Sequence, residues 1–206
     1  MKVDEVIATS FAIQCFGMTV GSISWLLFFN GQSEQKIERI NLLYQALTCS
    51  IPFSIIGIYT VQYLPVYPIA SINLIFSMFS LVFGVVLYRS VYLEKRSTDR
   101  GVKLLNKAEI SLIAVTSLIG GVITAWISVG IGEILAVVLL LRGFSVMFSV
   151  AAGVIASSVS VISGIPYFIH ESLINTDVLL FAAPGAIIGA LLARYVALTL
   201  GAKKLK

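Results

Sequence analysis

The sequence contains few charged residues. Only 12% of its 206 residues are Asp, Glu, Lys or Arg, whereas a soluble domain carries about a quarter. Hydrophobic residues make up 58%, and apolar runs of about 20 residues, the length that a helix needs to cross a bilayer, use almost the whole chain. This composition leaves no soluble domain and predicts an all-α integral membrane protein.

Other scarce residues exclude further classes of protein. His170 is the only histidine, which removes most histidine-based schemes, so we expect no metal and no cofactor. The apolar runs contain no paired acids and no nucleophile beside a base, so an enzyme is the least favoured class. The formal net charge is +4. In a membrane protein, an excess of Lys and Arg indicates how the chain is oriented in the membrane rather than binding to nucleic acid.

The apolar runs are of two kinds. The run 5–29 contains GMTVG, and the run 109–141, at 33 residues, is too long for one ordinary span and contains GIG. Glycine weakens a helix and frees the backbone, so paired glycines predict a break in each of these runs. The remaining runs are typical of simple spanning helices at 41–63, 67–88, 145–165 and 177–200. Together they predict about six to eight membrane segments.

The positions of Lys and Arg predict how the chain threads the membrane. If both broken runs turn back as hairpins, all 14 basic residues lie on one side, as the positive-inside rule favours. This arrangement places both termini and the basic loop 89–108 in the cytoplasm and the protein in the cell membrane. A single crossing by the first run is the alternative, because Lys2 alone precedes it.

An internal repeat is visible when the chain is aligned with itself. The alignment superposes Gly57 on Gly164 and Arg89 on Arg194, with several apolar motifs in the same order. Transporters are often built from two structural repeats around a central site. We therefore predict two similar halves, each a glycine-broken hairpin followed by two spanning helices. The predicted parts are a first repeat at 1–90, a basic linker at 91–108 and a second repeat at 109–206.

The second half resembles the TauE/SafE family of sulfite and sulfonate exporters. Gly130, Ile131 and Gly132 match the start of the GIGGG core of that family, and Gly143 matches its loop glycine. AAGVIASS is similar to its small-residue helix and GAIIGALLAR to its last element. The resemblance is strongest over 109–206, and it implies a membrane transporter of small anions.

The sequence departs from that family at the core motif. Glu133 and Ile134 stand where the family usually has two further glycines. This departure leaves the identity of the anion open.

The two predicted breaks suggest an anion-binding site. A helix that begins at a break presents free backbone N–H groups and a partial positive charge, and two such ends meeting in mid-membrane bind an anion without an arginine. The alternative is that these small residues only let helices pack closely. The predicted substrate-binding residues are Gly17, Thr19, Gly21 and Ser22 at the first break, Ser128, Gly130, Gly132 and Glu133 at the second, and Ser157 and Ser158 on the following helix.

Glu133 is the one acid that lies inside an apolar run. A charge at the bilayer centre costs about 2.5–3.5 kcal/mol. In one interpretation the carboxylate is stabilised by the N–H groups of its own helix start and replaces a bound anion. In the other, which we favour, it takes up and releases a proton that is coupled to transport.

These observations predict a secondary transporter, an exporter of a small anion such as a sulfur oxyanion or an organic sulfonate. The alternatives are a passive anion channel and a non-transporting membrane anchor subunit. The predicted partners are the small anion, the lipid bilayer and further copies of the chain in a homo-oligomer. Nucleic acid is not among them.

Overall fold

The chain forms a bundle of α-helices. The structure, a computed structural model, describes residues 2–29, 34–64, 72–88 and 104–204. These ranges contain seven helices and no strand, which confirms the all-α class. Residues 91–103 of the predicted linker 91–108 lie outside the described residues. The helices are α1 (Val3–Phe29), α2 (Glu34–Tyr63), α3 (Ile72–Tyr88), α4 (Lys107–Ile127), α5 (Ile131–Leu141), α6 (Val146–His170) and α7 (Thr176–Lys204).

The helices have the lengths and composition of membrane spans. Five of them, α1, α2, α4, α6 and α7, are long and apolar enough to cross a bilayer. Two apolar segments are shorter, Ile72–Val86 in α3 and Ile131–Leu141 in α5. This confirms an integral membrane protein.

Helices α2, α4 and α6 run in the same direction through the centre of the bundle. The hydroxyls of Ser50 and Ser117 lie 2.8 Å apart and join α2 to α4. One turn further along both helices, the Ser54 carbonyl lies against Gly121. The Ser54 hydroxyl in turn lies 2.7 Å from that of Ser160 on α6.

Helices α1 and α7 run in the opposite direction and lie parallel to each other. Gly17 packs against Ala186. About two turns further along both helices, the Arg194 side chain donates a hydrogen bond of 2.6 Å to the Ser24 carbonyl. The start of α1 lies at the end of α6, where the rings of Phe11 and Phe168 are 4.9 Å apart.

Helix α5 is a half-helix that begins inside the bundle. It has 11 residues, and Gly132 in its first turn lies beside Ser157, near the middle of α6. A short turn from Arg142 joins its end to the start of α6, so the two helices are antiparallel.

Helix α6 holds the bundle together. Three of its serines face three different helices: Ser157 faces α5, Ser158 faces Thr19 of α1 and Ser160 faces Ser54 of α2. Successive helix positions differ by about 100° in direction, so polar residues close together in the sequence reach separate neighbours.

The first predicted break is wrong. Helix α1 continues without interruption from Val3 to Phe29 and so contains both Gly17 and Gly21. These glycines make room for other helices instead: Gly17 lies against Ala186 of α7 and Gly21 against Val154 of α6. Small residues at such positions let two backbones approach closely.

Because α1 crosses the bundle once, the two termini lie at opposite ends, and the prediction that both share one side is also wrong. We call the end that carries the start of α4 and the later part of α7 the basic end; among its residues are Arg39, Lys107, Arg142 and Arg194. The opposite, acidic end carries Lys2 together with Asp4, Glu5, Glu171 and Asp177.

The contact between α2 and α4 predicts a strong effect of Gly121→Ala. The added methyl would clash with the Ser54 backbone, which cannot move aside alone, so we expect the free energy of unfolding to fall by about 1–3 kcal/mol. Gly189→Ala is the matched control, because Gly189 has nothing within 4 Å of an added methyl. Unfolding of both variants in mixed micelles gives the comparison, and equal stability of the two would contradict the close α2–α4 contact.

Candidate functional site

The second predicted break is confirmed, and it forms the turn between α4 and α5. Helix α4 ends at Ile127 and α5 begins at Ile131. The residue in the left-handed conformation is Ser128, with φ of 64°, rather than one of the glycines. A residue with a side chain pays about 1 kcal/mol or more for this conformation, so the surrounding structure must hold the turn in place.

The first turn of α5 contains both bonded and free backbone N–H groups. The N–H of Gly130 donates to Glu133 Oε2 at 3.1 Å, and that of Ile131 donates to Thr124 Oγ1 at 2.9 Å. In the described part of the chain, the N–H groups of Gly132 and Glu133 have no hydrogen-bond partner. These two groups also lie at the positive end of the helix dipole.

Ser157 lies directly beside Gly132. A side chain on Gly132 would clash with Ser157 Oγ and would come to 3.0 Å from the Gly153 carbonyl oxygen. The Ser157 side chain is only 4% exposed, and its hydroxyl forms no hydrogen bond within the described ranges. Gly132 therefore brings a free hydroxyl and two free N–H groups into one small region at the centre of the bundle.

Gln14 is the residue by which α1 reaches the break. Its Nε2 donates to the Ser128 carbonyl at 2.5 Å and lies 2.8 Å from the Ser128 hydroxyl. Gln14 was not among the predicted site residues. The sequence does show that Gln14 is an amide side chain within an apolar run. Such a side chain usually forms a hydrogen bond to another helix, but the sequence does not show to which helix.

The residues predicted at the first break do not meet the second. The Ser22 hydroxyl donates to the Met18 carbonyl at 2.7 Å within its own helix, and Gly17 and Gly21 pack against α7 and α6. Thr19 comes nearest to the site, because its hydroxyl lies 3.4 Å from that of Ser158. Thus Ser128, Gly130, Gly132, Glu133 and Ser157 lie at the start of α5, Ser158 faces Thr19 on α1, and Gly17, Gly21 and Ser22 belong to helix packing.

Two of the cavities formed by the described residues lie near the site. One is a groove of about 290 Å³ between α1 and α7, lined mostly by apolar residues together with Gln14. The other, of about 460 Å³, lies at the acidic end. Gly130, Gly132 and Glu133 line neither cavity, and Gly132 and Glu133 are themselves half-buried. Within the described residues, no group of three or more His, Cys, Asp or Glu side chains could hold a metal ion.

A half-helix that begins inside a bundle of membrane spans, with free N–H groups beside buried hydroxyls, is the arrangement of a membrane transport protein. The family model of the sulfite exporter TauE/SafE matches residues 1–206, the whole chain. The chain therefore belongs to the TauE/SafE family, whose members are exporter-type membrane transporters of sulfite-like anions. The resemblance over 109–206 thus extends to the whole chain. Comparison with the curated proteins and with the solved structures finds no match.

The left-handed Ser128 predicts an order of stability for two substitutions. Ser128→Ala and Ser128→Gly both remove the hydroxyl that contacts Gln14, but only glycine adopts φ of 64° without strain. We expect Ser128→Gly to be more stable than Ser128→Ala by about 1 kcal/mol, measured by unfolding in micelles. Equal stability, or greater stability of the alanine variant, would rule out strain at this turn.

Proposed function

We propose that the protein is a secondary transporter that exports a small oxyanion, such as sulfite or an organic sulfonate. The anion binds at the start of α5. The observation that carries this proposal is the pair of free N–H groups, on Gly132 and Glu133, beside the free hydroxyl of Ser157. Membership of the TauE/SafE family supports the same class of substrate.

The chemistry of this region suits an oxyanion better than a cation or an apolar molecule. The N–H groups and the hydroxyl all donate hydrogen bonds, and the helix start adds a charge of about +0.5. Oxyanions have several acceptor oxygens, so one ion can bond to all three donors. No Lys or Arg is needed, and the donors stay uncharged when the anion leaves.

Glu133 supplies the proposed proton coupling. Its Oε2 accepts the N–H of Gly130, so an ionised carboxylate already neutralises part of the positive helix start. An anion bound one residue away would be repelled by that carboxylate. A proton on Glu133 removes the repulsion, so in our proposal the proton binds before the anion.

Transport by alternating access would expose this site to each end of the bundle in turn. Between the acidic-end cavity and the start of α5, the completely buried side chains of Phe11 and Ile58 lie against Gly164. In our proposal these residues move when the anion passes toward the acidic end. By the positive-inside rule we place the basic end in the cytoplasm, which makes the acidic end the exit and puts Lys2 outside the cell.

Two serine substitutions separate binding from stability. Ser157→Ala removes a donor to the anion, and because a hydrogen bond to a charged group contributes about 1.5–3 kcal/mol, we expect the KM for labelled sulfite to rise about tenfold or more. Ser160→Ala breaks the buried pair with Ser54 and should lower stability by about 1 kcal/mol with KM unchanged. Uptake into proteoliposomes and unfolding in micelles test both. An unchanged KM in Ser157→Ala would exclude this serine from the site.

The coupling role predicts a specific defect in Glu133→Gln. The amide oxygen of glutamine still accepts the Gly130 N–H, but the side chain can no longer gain or lose a proton. We expect transport of labelled ethanesulfonate to continue without acceleration by a pH gradient, because this strong-acid anion keeps its charge across the pH range used.

Glu109→Gln is the matched control for this experiment. Glu109 accepts the Asn106 N–H at 2.9 Å at the start of α4, in the same position of its helix as Glu133. We expect Glu109→Gln to keep its response to the gradient. A response that survives in Glu133→Gln would refute coupling through Glu133. Flux without saturation would indicate a channel instead, and the absence of any anion flux would indicate a membrane anchor.

A further inference from the structure

The acidic end contains a cavity that is not part of the proposed anion site at the start of α5. Its volume of about 460 Å³ falls in the range of about 300–1,000 Å³ that is common for small-molecule sites. The ends of four long helices and the first residue of α3 form its wall. Among the lining residues are Asp4, Gln62, Tyr63, Trp126, Tyr167 and Glu171.

Gln62 is one of the residues that line this cavity, and it has an unused hydrogen-bond acceptor. The residue is only 9% exposed, and its Nε2 donates to the Gly164 carbonyl at 2.9 Å. That bond fixes the orientation of the amide, since only the nitrogen can donate to a carbonyl. The other atom, Oε1, is buried and has no hydrogen-bond partner among the described residues. Because an unpaired buried acceptor is unfavourable, Gln62 indicates a ligand that donates a hydrogen bond.

The charged residues around the cavity select the sign of that ligand. Among the described residues, Asp4 and Glu171 line it, and neither Lys nor Arg does. His170 lies next to it, with Nδ1 3.3 Å from Glu171 Oε1, but its side chain is 86% exposed. The cavity therefore attracts cations and repels anions.

The aromatic residues select the kind of cation. The rings of Tyr63 and Tyr167 lie edge to face with centroids 5.7 Å apart, and Trp126 lines the same cavity. Aromatic faces attract organic ammonium groups. A bare metal ion would gain nothing from these rings, and it prefers several oxygen ligands.

We infer that this cavity binds a small organic ammonium cation at the acidic end of the bundle. Asp4 and Glu171 provide the attracting charge, the aromatic rings contact the organic part, and Gln62 Oε1 accepts a hydrogen bond from an ammonium N–H. This site is separate from the anion site at the start of α5.

Trp126 provides a direct measurement of binding. The chain has two tryptophans, so Trp25→Phe leaves Trp126 as the only one, in the wall of the cavity. We expect n-butylammonium to change its fluorescence in a saturable way, whereas n-butanol and butyrate at equal concentration do not. Because Trp25 is buried and its replacement can impair folding, the shift in thermal unfolding of the unmodified protein with the same three compounds is the second measurement.

Neutral variants locate the binding site. Asp4→Asn and Glu171→Gln should each weaken n-butylammonium binding about two- to fivefold, the effect of one exposed charge. Asp177→Asn is the control, because Asp177 lies at the same end but is not among the residues that line the cavity, and we expect unchanged binding.

The inference is overturned if n-butylammonium gives no saturable signal in either measurement, or if all three variants bind it equally well. Binding of Ca²⁺ in its place would show a metal site and would equally overturn it. None of these results bears on anion transport, which Ser157→Ala and Glu133→Gln test independently.

Discussion

The structure depends on one constraint, which is that a break in a membrane helix must be satisfied by the protein itself. Water is absent from the hydrocarbon region, so each backbone group freed between α4 and α5 needs a partner from elsewhere in the chain. Gln14 supplies a donor for the Ser128 carbonyl, Thr124 accepts the N–H of Ile131, and Glu133 accepts that of Gly130. Among the groups that remain after these bonds are the free donors that we propose bind the anion.

The close packing around the break follows from the same constraint. Gly132 and Gly153 let α5 and α6 approach until Ser157 reaches the start of α5. Gly121 does the same between α4 and α2. The buried serine pairs on α2, α4 and α6 then fix how far along one another these helices lie. Small residues thus determine where the polar groups of the site meet.

The sequence alone was sufficient to predict the membrane class, most of the spans and the break at Gly130, because composition and run length report directly on burial in lipid. It was not sufficient at Gly17 and Gly21, where a glycine pair that opens a helix looks the same as a pair that accommodates a neighbour. Only the position of α7, far away in the sequence, distinguishes the two cases. The partner of Gln14 could not be predicted for the same reason, since Ser128 lies 114 residues away.

The two ends of the bundle differ in charge, and this difference bears on the direction of the proposed transport. At physiological ionic strength charges act over about 8 Å, so an anion leaving the bundle responds mainly to the residues at the mouth through which it passes. At the acidic end those residues include Asp4 and Glu171, which oppose its return. The basic end carries Arg39, Lys107 and Arg142, which raise the local concentration of anions. Fixed charges cannot drive net transport, since they change only the rates of binding and release at each mouth. A gradient must supply the energy. In the proposed order the proton leaves together with the anion, so the outward gradient of the anion supplies that energy, and Glu133 makes the flux depend on the pH at each side.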